Sequence, residues 1–283
     1  MKYREIKDKT ALLSYVESLK ADGPISVALD LEGEFNLHVY GERLCLIQVY
    51  DGREAVIIDP LKIEKGALKV LFEEESLQKV MWDASSDMSL LINGYDTNIK
   101  NVLDLRPAAD LLEFPKKDYA SVLEMVLGIK TKRKKRFQQY NWLRRPVDPE
   151  AIEYAIDDVL HIPDLKRELL QRLEAAGLLE EFQQRNEIVC NRDYRRKPGQ
   201  RHTKMKGYRY LEKQEKELLR RLFGVRDRHA KRMNMPPNNV VANQDLMELA
   251  RRRLTPERLG FIRRIREGDR QRIVQELQQE MKG

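Results

Sequence analysis

The chain has 283 residues, of which 41% are hydrophobic and 35% are charged, and its formal net charge is +7. These proportions allow one large domain or two ordinary ones, with a folded core beneath a heavily charged surface. The positive balance favours a polyanionic partner, although many ordinary enzymes carry a similar charge.

The start of the chain, MKYREIKDKT, is basic but is not followed by an apolar segment, so it does not predict a secretory signal. No run of about 18 apolar residues is present, which excludes a membrane-spanning helix. The only cysteines are Cys45 and Cys190, so neither a disulfide framework nor a zinc cluster is predicted. The expected location is the reducing cytoplasm.

Three short strands are predicted after a first amphipathic helix. Residues 25–32, 44–50 and 55–59 have the apolar content of buried strands. The Asp51-Gly52 pair between the second and third is a strong signal for a hairpin turn. The three strands therefore predict an antiparallel meander.

Strands and helices alternate after the meander. Residues 79–82 predict a strand, 86–92 a helix, and 102–105 a strand or the entry of a helix, while nearly all of 106–183 has helical spacing. This order indicates an α/β domain with a mixed sheet, which we assign to residues 1–183.

The rest of the chain predicts a linker and a small helical domain. Residues 184–207 lack apolar periodicity, are rich in Lys and Arg, and contain Pro198 and Gly199, so we predict an interdomain linker or a surface arm. Residues 208–283 repeat apolar residues at helical spacing, which predicts an all-α domain.

Five side chains in the first domain are candidates for catalysis. Asp30 and Glu32 lie two residues apart at the end of a predicted strand, so both would point to one face. Tyr154 and Asp158 lie four residues apart on a predicted helix and would also share a face, while Asp87 opens another helix. Taken singly, each has an ordinary explanation, such as neutralisation by a basic side chain or an amide, a half-buried surface tyrosine, or a first-turn acid favoured by the helix dipole.

Taken together, the four carboxylates could converge at one end of the sheet, where they would repel each other unless cations neutralised them. Oxygen ligands without His or Cys suit Mg²⁺ or Mn²⁺. Two such ions about 4 Å apart can stabilise the attacking and leaving oxygens of a phosphoryl displacement. The pattern thus indicates a site for two divalent cations, Mg²⁺ or Mn²⁺.

Several stretches, in this order, resemble the DEDD 3′→5′ exonucleases of the ribonuclease D type: ALDLEGEF, KVMWDASSDMSLLI, NWLRRPV and EYAIDDV. They cover about residues 1–183. The resemblance implies a ribonuclease H-like mixed sheet with flanking helices, and it implies that Tyr154 orients the nucleophilic water. It also implies four metal ligands, which are Asp30, Glu32, Asp87 and Asp158.

The position of Tyr154 identifies the tyrosine subclass of this family, because the alternative subclass has a His where this chain has Glu153. One departure is Trp82, which stands where ribonuclease D often has a His. We expect this change to alter local packing or a substrate contact and to remove no metal ligand.

Basic segments of the chain predict contacts with nucleic acid. KTKRKKR, residues 130–136, precedes the third motif and could contact phosphates, with a solvated loop as the ordinary alternative. Phe137, Tyr140 and Trp142 could stack on bases, although a core position is the stronger expectation for Trp142.

The C-terminal residues resemble an HRDC domain, on the sequence LLRRLFGVRDRHAKRMNMPPNNVVANQDLMELARRR. Such domains commonly bind nucleic acid, and some serve instead for packing or protein contact. The residues predicted to bind nucleic acid in the two domains are Lys132, Arg133, Lys134, Lys135, Arg136, Arg226, Arg228 and Lys231.

The leading hypothesis is a metal-dependent 3′→5′ exoribonuclease that trims structured RNA such as tRNA precursors and releases nucleoside 5′-monophosphates. The first alternative is an exonuclease of DNA or a hydrolase of short oligonucleotides, because contacts to the 2′-hydroxyl are not visible in a sequence. The second is a non-catalytic RNA-binding module, for which a missing carboxylate would be expected.

Overall fold

A computed structural model gives the positions of residues 2–21, 26–131, 135–196, 199 and 201–282. Among these residues, no helix is both long and apolar enough to cross a membrane.

The chain forms two units whose boundary does not follow the sequence order. The first contains residues 1–33 and 43–196, and the second contains residues 34–42 and 197–283. A nine-residue segment from the first domain of the sequence therefore belongs to the C-terminal unit.

The first unit is built on a mixed sheet of six strands. They are β1 (Arg4–Ile6), β2 (Ser26–Phe35), β3 (Glu42–Tyr50), β4 (Ala55–Ile58), β5 (Gln78–Met81) and β6 (Val102–Asp104). The strand order is β1-β4-β3-β2-β5-β6. Strands β3 and β4 are antiparallel, whereas β1 with β4, β2 with β5, and β5 with β6 are parallel. The predicted mixed sheet is confirmed, and the edge strand β1 is an addition that sequence analysis missed.

Nine helices accompany the sheet in the described part of the first unit. They are α1 (Lys9–Ala21), α2 (Lys69–Phe72), α3 (Ser85–Tyr95), α4 (Arg106–Leu111), α5 (Tyr119–Leu127), α6 (Lys135–Gln138), α7 (Pro149–Leu160), α8 (Ile162–Ala175) and α9 (Leu179–Asn191). The predicted linker at 184–207 begins too early, because α9 continues through residue 191. Phe182 and Asn186 of α9 are buried, and Asn186 Oδ1 accepts the backbone N–H of Asp104 at 2.7 Å.

The alternation of side chains along β2 decides which face carries the candidate acids. Val27, Leu29 and Leu31 enter one hydrophobic core, whereas Ala28 enters another, together with Val159 of α7. Because side chains two apart on a strand share a face, Asp30 and Glu32 follow Ala28 to the side covered by α7.

The second unit contains four helices among its described residues. They are α10 (Lys213–Met233), α11 (Pro237–Val240), α12 (Asn243–Ala250) and α13 (Glu267–Lys282). Helix α10 begins with a capping box in which Glu212 N–H donates to Glu215 Oε2 at 2.8 Å. Its buried Leu222 and Val225 join Leu246 and Ile273 in one core, so the predicted all-α domain is present.

Residues 34–42 form the tip of the hairpin between β2 and β3. The buried carboxylate of Glu34 accepts from Leu37 N–H and from the backbone N–H of His38 at 2.9 Å, which fixes the turn. Tyr40 packs against the core of the second unit, and its hydroxyl donates to Asp227 Oδ2 at 2.7 Å. The tip is thus a structural part of the C-terminal unit.

Candidate active site

Three carboxylates from β2 and α7 converge. Oxygen atoms of Asp30, Glu32 and Asp158 all lie within 4.8 Å of one another, and each of these side chains is half-buried. The three acids meet because α7 lies on the face of β2 from which Asp30 and Glu32 project. Their shared faces agree with the predicted spacings of two on a strand and four on a helix. Three like charges at this separation are stable only if protons or cations neutralise them.

The electrostatics of the cluster show the cost of holding these acids together. Burial raises the pKa of Asp30 to about 6, although the backbone N–H of Leu31 partly opposes the shift. Burial, and then the charges of Asp30, Asp158 and Asp87, raise the pKa of Glu32 well above its usual value. Within the described residues, no Lys or Arg forms an ion pair with Asp30, Glu32 or Asp87. Neutralisation by basic side chains therefore does not explain the strand acids.

Asp87 lies in the first turn of α3 and outside the group of three whose atoms are within 4.8 Å. Asp87 still interacts electrostatically with the cluster, because burial and then the charge of Asp30 raise its pKa. The turn leading into α3 is shaped by Asp104 at the end of β6. The Asp104 carboxylate accepts the N–H groups of Asp83 at 2.8 Å and Ala84 at 3.1 Å. Sequence analysis did not identify this positioning role.

Tyr154 and Asp158 are one turn apart on α7, as the sequence predicted. The ring of Tyr154 lies 5.2 Å from that of the buried Phe137, centroid to centroid. Since α7 buries Ala155 and Ile156 against the sheet, its register and the orientation of the two candidate side chains are fixed by packing.

The NWLRRPV segment before α7 contains a clamp that sequence analysis did not interpret. Arg145 Nε and Nη2 donate to the two carboxylate oxygens of Asp59, each at 2.8 Å, and Nη2 also donates to Cys45 O at 2.6 Å. Burial would raise the pKa of Asp59, but Arg145 outweighs it and the pKa is lowered. Arg145 thereby ties the segment before α7 to β3 and to the end of β4.

The structure tests only part of the predicted basic surface in the first unit. Lys132, Arg133 and Lys134 lie outside the described residues, and nothing is described of the Lys135 side chain. Arg136 forms an ion pair with Glu150 and lies over the Phe137 ring at 4.7 Å.

The prediction that Arg226 binds nucleic acid is wrong. This residue is 3% exposed, and its Nη1 donates to Val241 O at 3.2 Å and Asn243 Oδ1 at 2.7 Å. Arg228 and Lys231 are exposed, and Arg228 Nη2 is paired with Glu276 at 3.0 Å.

The aromatic side chains near the basic loop are mostly core residues. Phe137 and Trp142 are each 3% exposed, so neither offers a face for base stacking. Tyr140 is half-buried, and its hydroxyl accepts the N–H of Asp148 at 2.9 Å. The stronger expectation for Trp142, a core position, is confirmed.

Comparisons with known proteins found a family for part of each unit. Residues 3–174 match the family model described as a 3′-5′ exonuclease, and residues 215–280 match the HRDC domain model. Ribonuclease D of Cronobacter turicensis is 26% identical over 235 residues, which are 79% of this chain and 61% of that protein. The chain thus spans about three fifths of the length of this curated relative.

Two solved structures share the fold. The exoribonuclease RNase D of Escherichia coli, involved in structured RNA processing, has a TM-score of 0.76 and 24% identity, with 99% of this chain and 75% of that chain covered. Brucella melitensis NrnC with bound Mg²⁺ has a TM-score of 0.54 and 23% identity, with 67% of this chain and 90% of that chain covered.

Proposed function

Because this chain belongs to the 3′-5′ exonuclease family, we propose that it is a metal-dependent 3′→5′ exoribonuclease that trims structured RNA such as tRNA precursors. The products would be nucleoside 5′-monophosphates. The observation that carries this proposal is the convergence of Asp30, Glu32 and Asp158 within 4.8 Å. A non-catalytic RNA-binding module would have no reason to keep these acids together at an electrostatic cost.

The donor set of the site fits divalent cations. All of its candidate ligands are carboxylate oxygens, which Mg²⁺ and Mn²⁺ prefer. The raised pKa values of Asp30 and Glu32 mean that a bound cation would favour the ionised form of both carboxylates. We assign Asp30, Glu32, Asp158 and Asp87 as ligands of two such ions, and the Mg²⁺-bound NrnC structure supports the choice of metal.

Divalent cations held there would supply charge stabilisation for the hydrolysis of a phosphodiester bond. The protein groups then have separate tasks. Asp30, Glu32 and Asp158 would hold the cations, and Tyr154 would orient the nucleophilic water beside the scissile phosphate. The packing of Tyr154 on Phe137 restricts its ring and so favours one hydroxyl position.

RNA is the proposed substrate because the relatives named above are ribonucleases, one of them involved in structured RNA processing. DNA and short oligonucleotides are the alternative, since RNA and DNA are distinguished by contacts to the 2′-hydroxyl and the catalytic acids alone do not define such contacts. We also propose a cytoplasmic location, which suits two cysteines that form no disulfide with each other.

The proposed activity is tested by incubating the protein with matched RNA and DNA strands carrying either a 3′ or a 5′ label. With Mg²⁺ or Mn²⁺, the 3′ label of RNA should be released first as a mononucleotide, and EDTA should stop the reaction. Faster degradation of DNA would select the alternative substrate, and loss of the 5′ label first would contradict the assigned polarity.

Mn²⁺ or Mg²⁺ is expected to raise the melting temperature more at pH 8 than at pH 5. The pKa of Asp30 is raised from 3.8 to about 6, so the folded protein without metal loses stability as pH rises through this interval. A cation relieves that penalty above about pH 6, where the acid is ionised, and has little to relieve below it. The measurement is thermal unfolding with metal or EDTA at both pH values. The same shift at both, or an undiminished shift in Asp30→Asn, would contradict the assignment.

Replacing Lys132, Arg133, Lys134 and Lys135 with Gln is expected to weaken RNA binding and flatten its salt dependence. Each lost phosphate contact should reduce the log–log slope by roughly 0.7 for a single strand. Binding is measured at several salt concentrations, together with single-turnover cleavage at saturating protein, which should change little because the acids are intact.

The matched control for this experiment replaces four exposed lysines elsewhere in the first unit. They are Lys2, Lys7, Lys9 and Lys62. Replacing these four lysines lowers the net charge by the same amount as replacing residues 132–135. If residues 132–135 contact phosphates, the salt dependence of RNA binding should change less in the control. Equal changes in both variants would assign the effect to net charge alone.

A further inference from the structure

Tyr119, the first residue of α5, carries a buried hydroxyl without a hydrogen-bond partner among the described residues. The residue is 7% exposed. A buried tyrosine hydroxyl usually finds a partner, because an unsatisfied polar group loses its hydration without compensation. The Tyr119 hydroxyl is therefore available as a donor to a group that comes within reach of it.

The packing of Tyr119 places it beside the candidate active site. Its ring lies 5.8 Å from that of Trp82, inclined at 60°, and it shares a core with Ala28 and Val159. Ala28 precedes Asp30 by two residues on the same face of β2, and Val159 follows Asp158 directly. The Trp82 indole, which stands where ribonuclease D often has a His, thus packs against the Tyr119 ring.

The charges around the phenol come from the same acids. Burial is the main cause that raises the pKa of Tyr119, and the next contributions are the carboxylates of Asp158, Asp157 and Asp30. The hydroxyl consequently keeps its proton at neutral pH and is available as a donor next to carboxylates that must stay ionised to bind a cation.

We propose that Tyr119 is a positioning residue of the acidic site, whose hydroxyl donates a hydrogen bond to the Asp158 carboxylate when a divalent cation is bound. This inference rests on the proposed function. A hydrogen bond to the ionised form of a carboxylate stabilises that form and fixes the orientation of the ligand. Tyr119 touches neither the substrate nor the reacting atoms in this role, which separates it from Tyr154.

The chain offers a matched control in Tyr15 of α1. Its hydroxyl is also buried without a partner among the described residues, and the residue is 3% exposed. The charged groups that affect it are Asp51, Glu54 and Arg4, none of which belongs to the acidic site. Tyr15→Phe therefore removes an equivalent hydroxyl in a place where it has no metal ligand to orient.

The test measures two properties of the full chain carrying Tyr119→Phe or Tyr15→Phe. Calorimetric titration with Mn²⁺ gives the metal affinity, counting only the binding that Asp30→Asn abolishes, and thermal unfolding in EDTA gives the stability without metal. Without metal, both variants should melt at the wild-type temperature or about 2 °C above it, because an unsatisfied hydroxyl has been removed. Tyr119→Phe should weaken Mn²⁺ binding by about 10-fold or more, while Tyr15→Phe leaves it unchanged.

Two outcomes would overturn the inference, and they differ in what else they reject. If the wild type and Tyr119→Phe bind Mn²⁺ equally, the hydroxyl has no role at the site, although the proposed function stands. If the wild type binds no Mn²⁺ at the acidic site, the proposed function and this inference fail together.

Discussion

Asp158→Asn is expected to reduce RNA cleavage by about a thousand-fold or more, equivalent to about 4 kcal/mol of activation free energy. The substitution preserves the volume of the side chain but removes one of three charges that lie within 4.8 Å of one another. Because α7 is held by packing against the sheet, the variant should fold and retain most of its RNA affinity. Single-turnover cleavage and RNA binding are measured in parallel.

Asp157→Asn is the matched control for this prediction. The two acids are adjacent on α7, but successive helical residues are rotated by about 100°, and Asp157 is directed towards His161, with Oδ1 and Nε2 3.7 Å apart. The control should keep most of the wild-type rate. The site assignment is wrong if Asp158→Asn retains more than about a tenth of the activity, or if both variants lose it equally.

Arg145→Met is expected to lower the free energy of unfolding by about 3–5 kcal/mol, because removal of one partner of a buried ion pair leaves the other uncompensated. Asp59 is nearly fully buried and would lose both hydrogen bonds to the guanidinium, and Cys45 O would lose a donor. Cleavage should also fall at temperatures where the variant is folded, since the segment before α7 would lose its attachment. Urea unfolding at neutral pH gives the change in stability.

A double-mutant cycle with Asp59→Asn tests the cause of that loss. Asp59→Asn combined with Arg145→Met removes the uncompensated charge, so the double variant should be less destabilised than the sum of the single ones. Since the pKa of Asp59 is lowered in the folded state, the contribution of the pair is complete above the usual pKa and declines as pH falls through the folded value. Additive losses at neutral pH would show that the two side chains do not act as a pair.

The sheet and the acidic cluster could be predicted because both follow from short-range periodicity. The apolar runs located β2 to β5 and left β6 open between a strand and the entry of a helix. Spacings of two on a strand and four on a helix gave the shared faces of the acids. The edge strand β1 has only three residues, of which Ile6 alone is buried, so no alternation marks it. Asp104 and the Arg145–Asp59 clamp depend on contacts between distant segments, which no local pattern contains.

The wrong prediction of a nucleic-acid contact for Arg226 could have been avoided from the helical spacing of the sequence. Arg226 follows Leu222 by four residues and precedes the buried His229 by three, so helical spacing puts it on the apolar face of α10. Its positive charge suggested an exposed side chain that contacts nucleic acid. The guanidinium instead donates to a backbone and a side-chain oxygen inside the domain. The periodicity of the helix was the better guide than the charge.

The hairpin tip at residues 34–42 affects how this protein would respond to proteolysis and to exchange of its C-terminal unit. Because the tip belongs to the C-terminal unit, the backbone crosses between the two units three times, near residues 33, 42 and 196. Proteolysis after residue 196 would sever one crossing, but the C-terminal fragment would still be held by residues 34–42, whose Tyr40 hydroxyl donates to Asp227. A gene segment ending near residue 207 would encode Tyr40 without that partner. The HRDC-like unit therefore cannot be exchanged by replacing only the residues after the linker. A replacement unit would also need a matching hairpin tip, and this tip is part of the hairpin whose strand β2 carries Asp30 and Glu32.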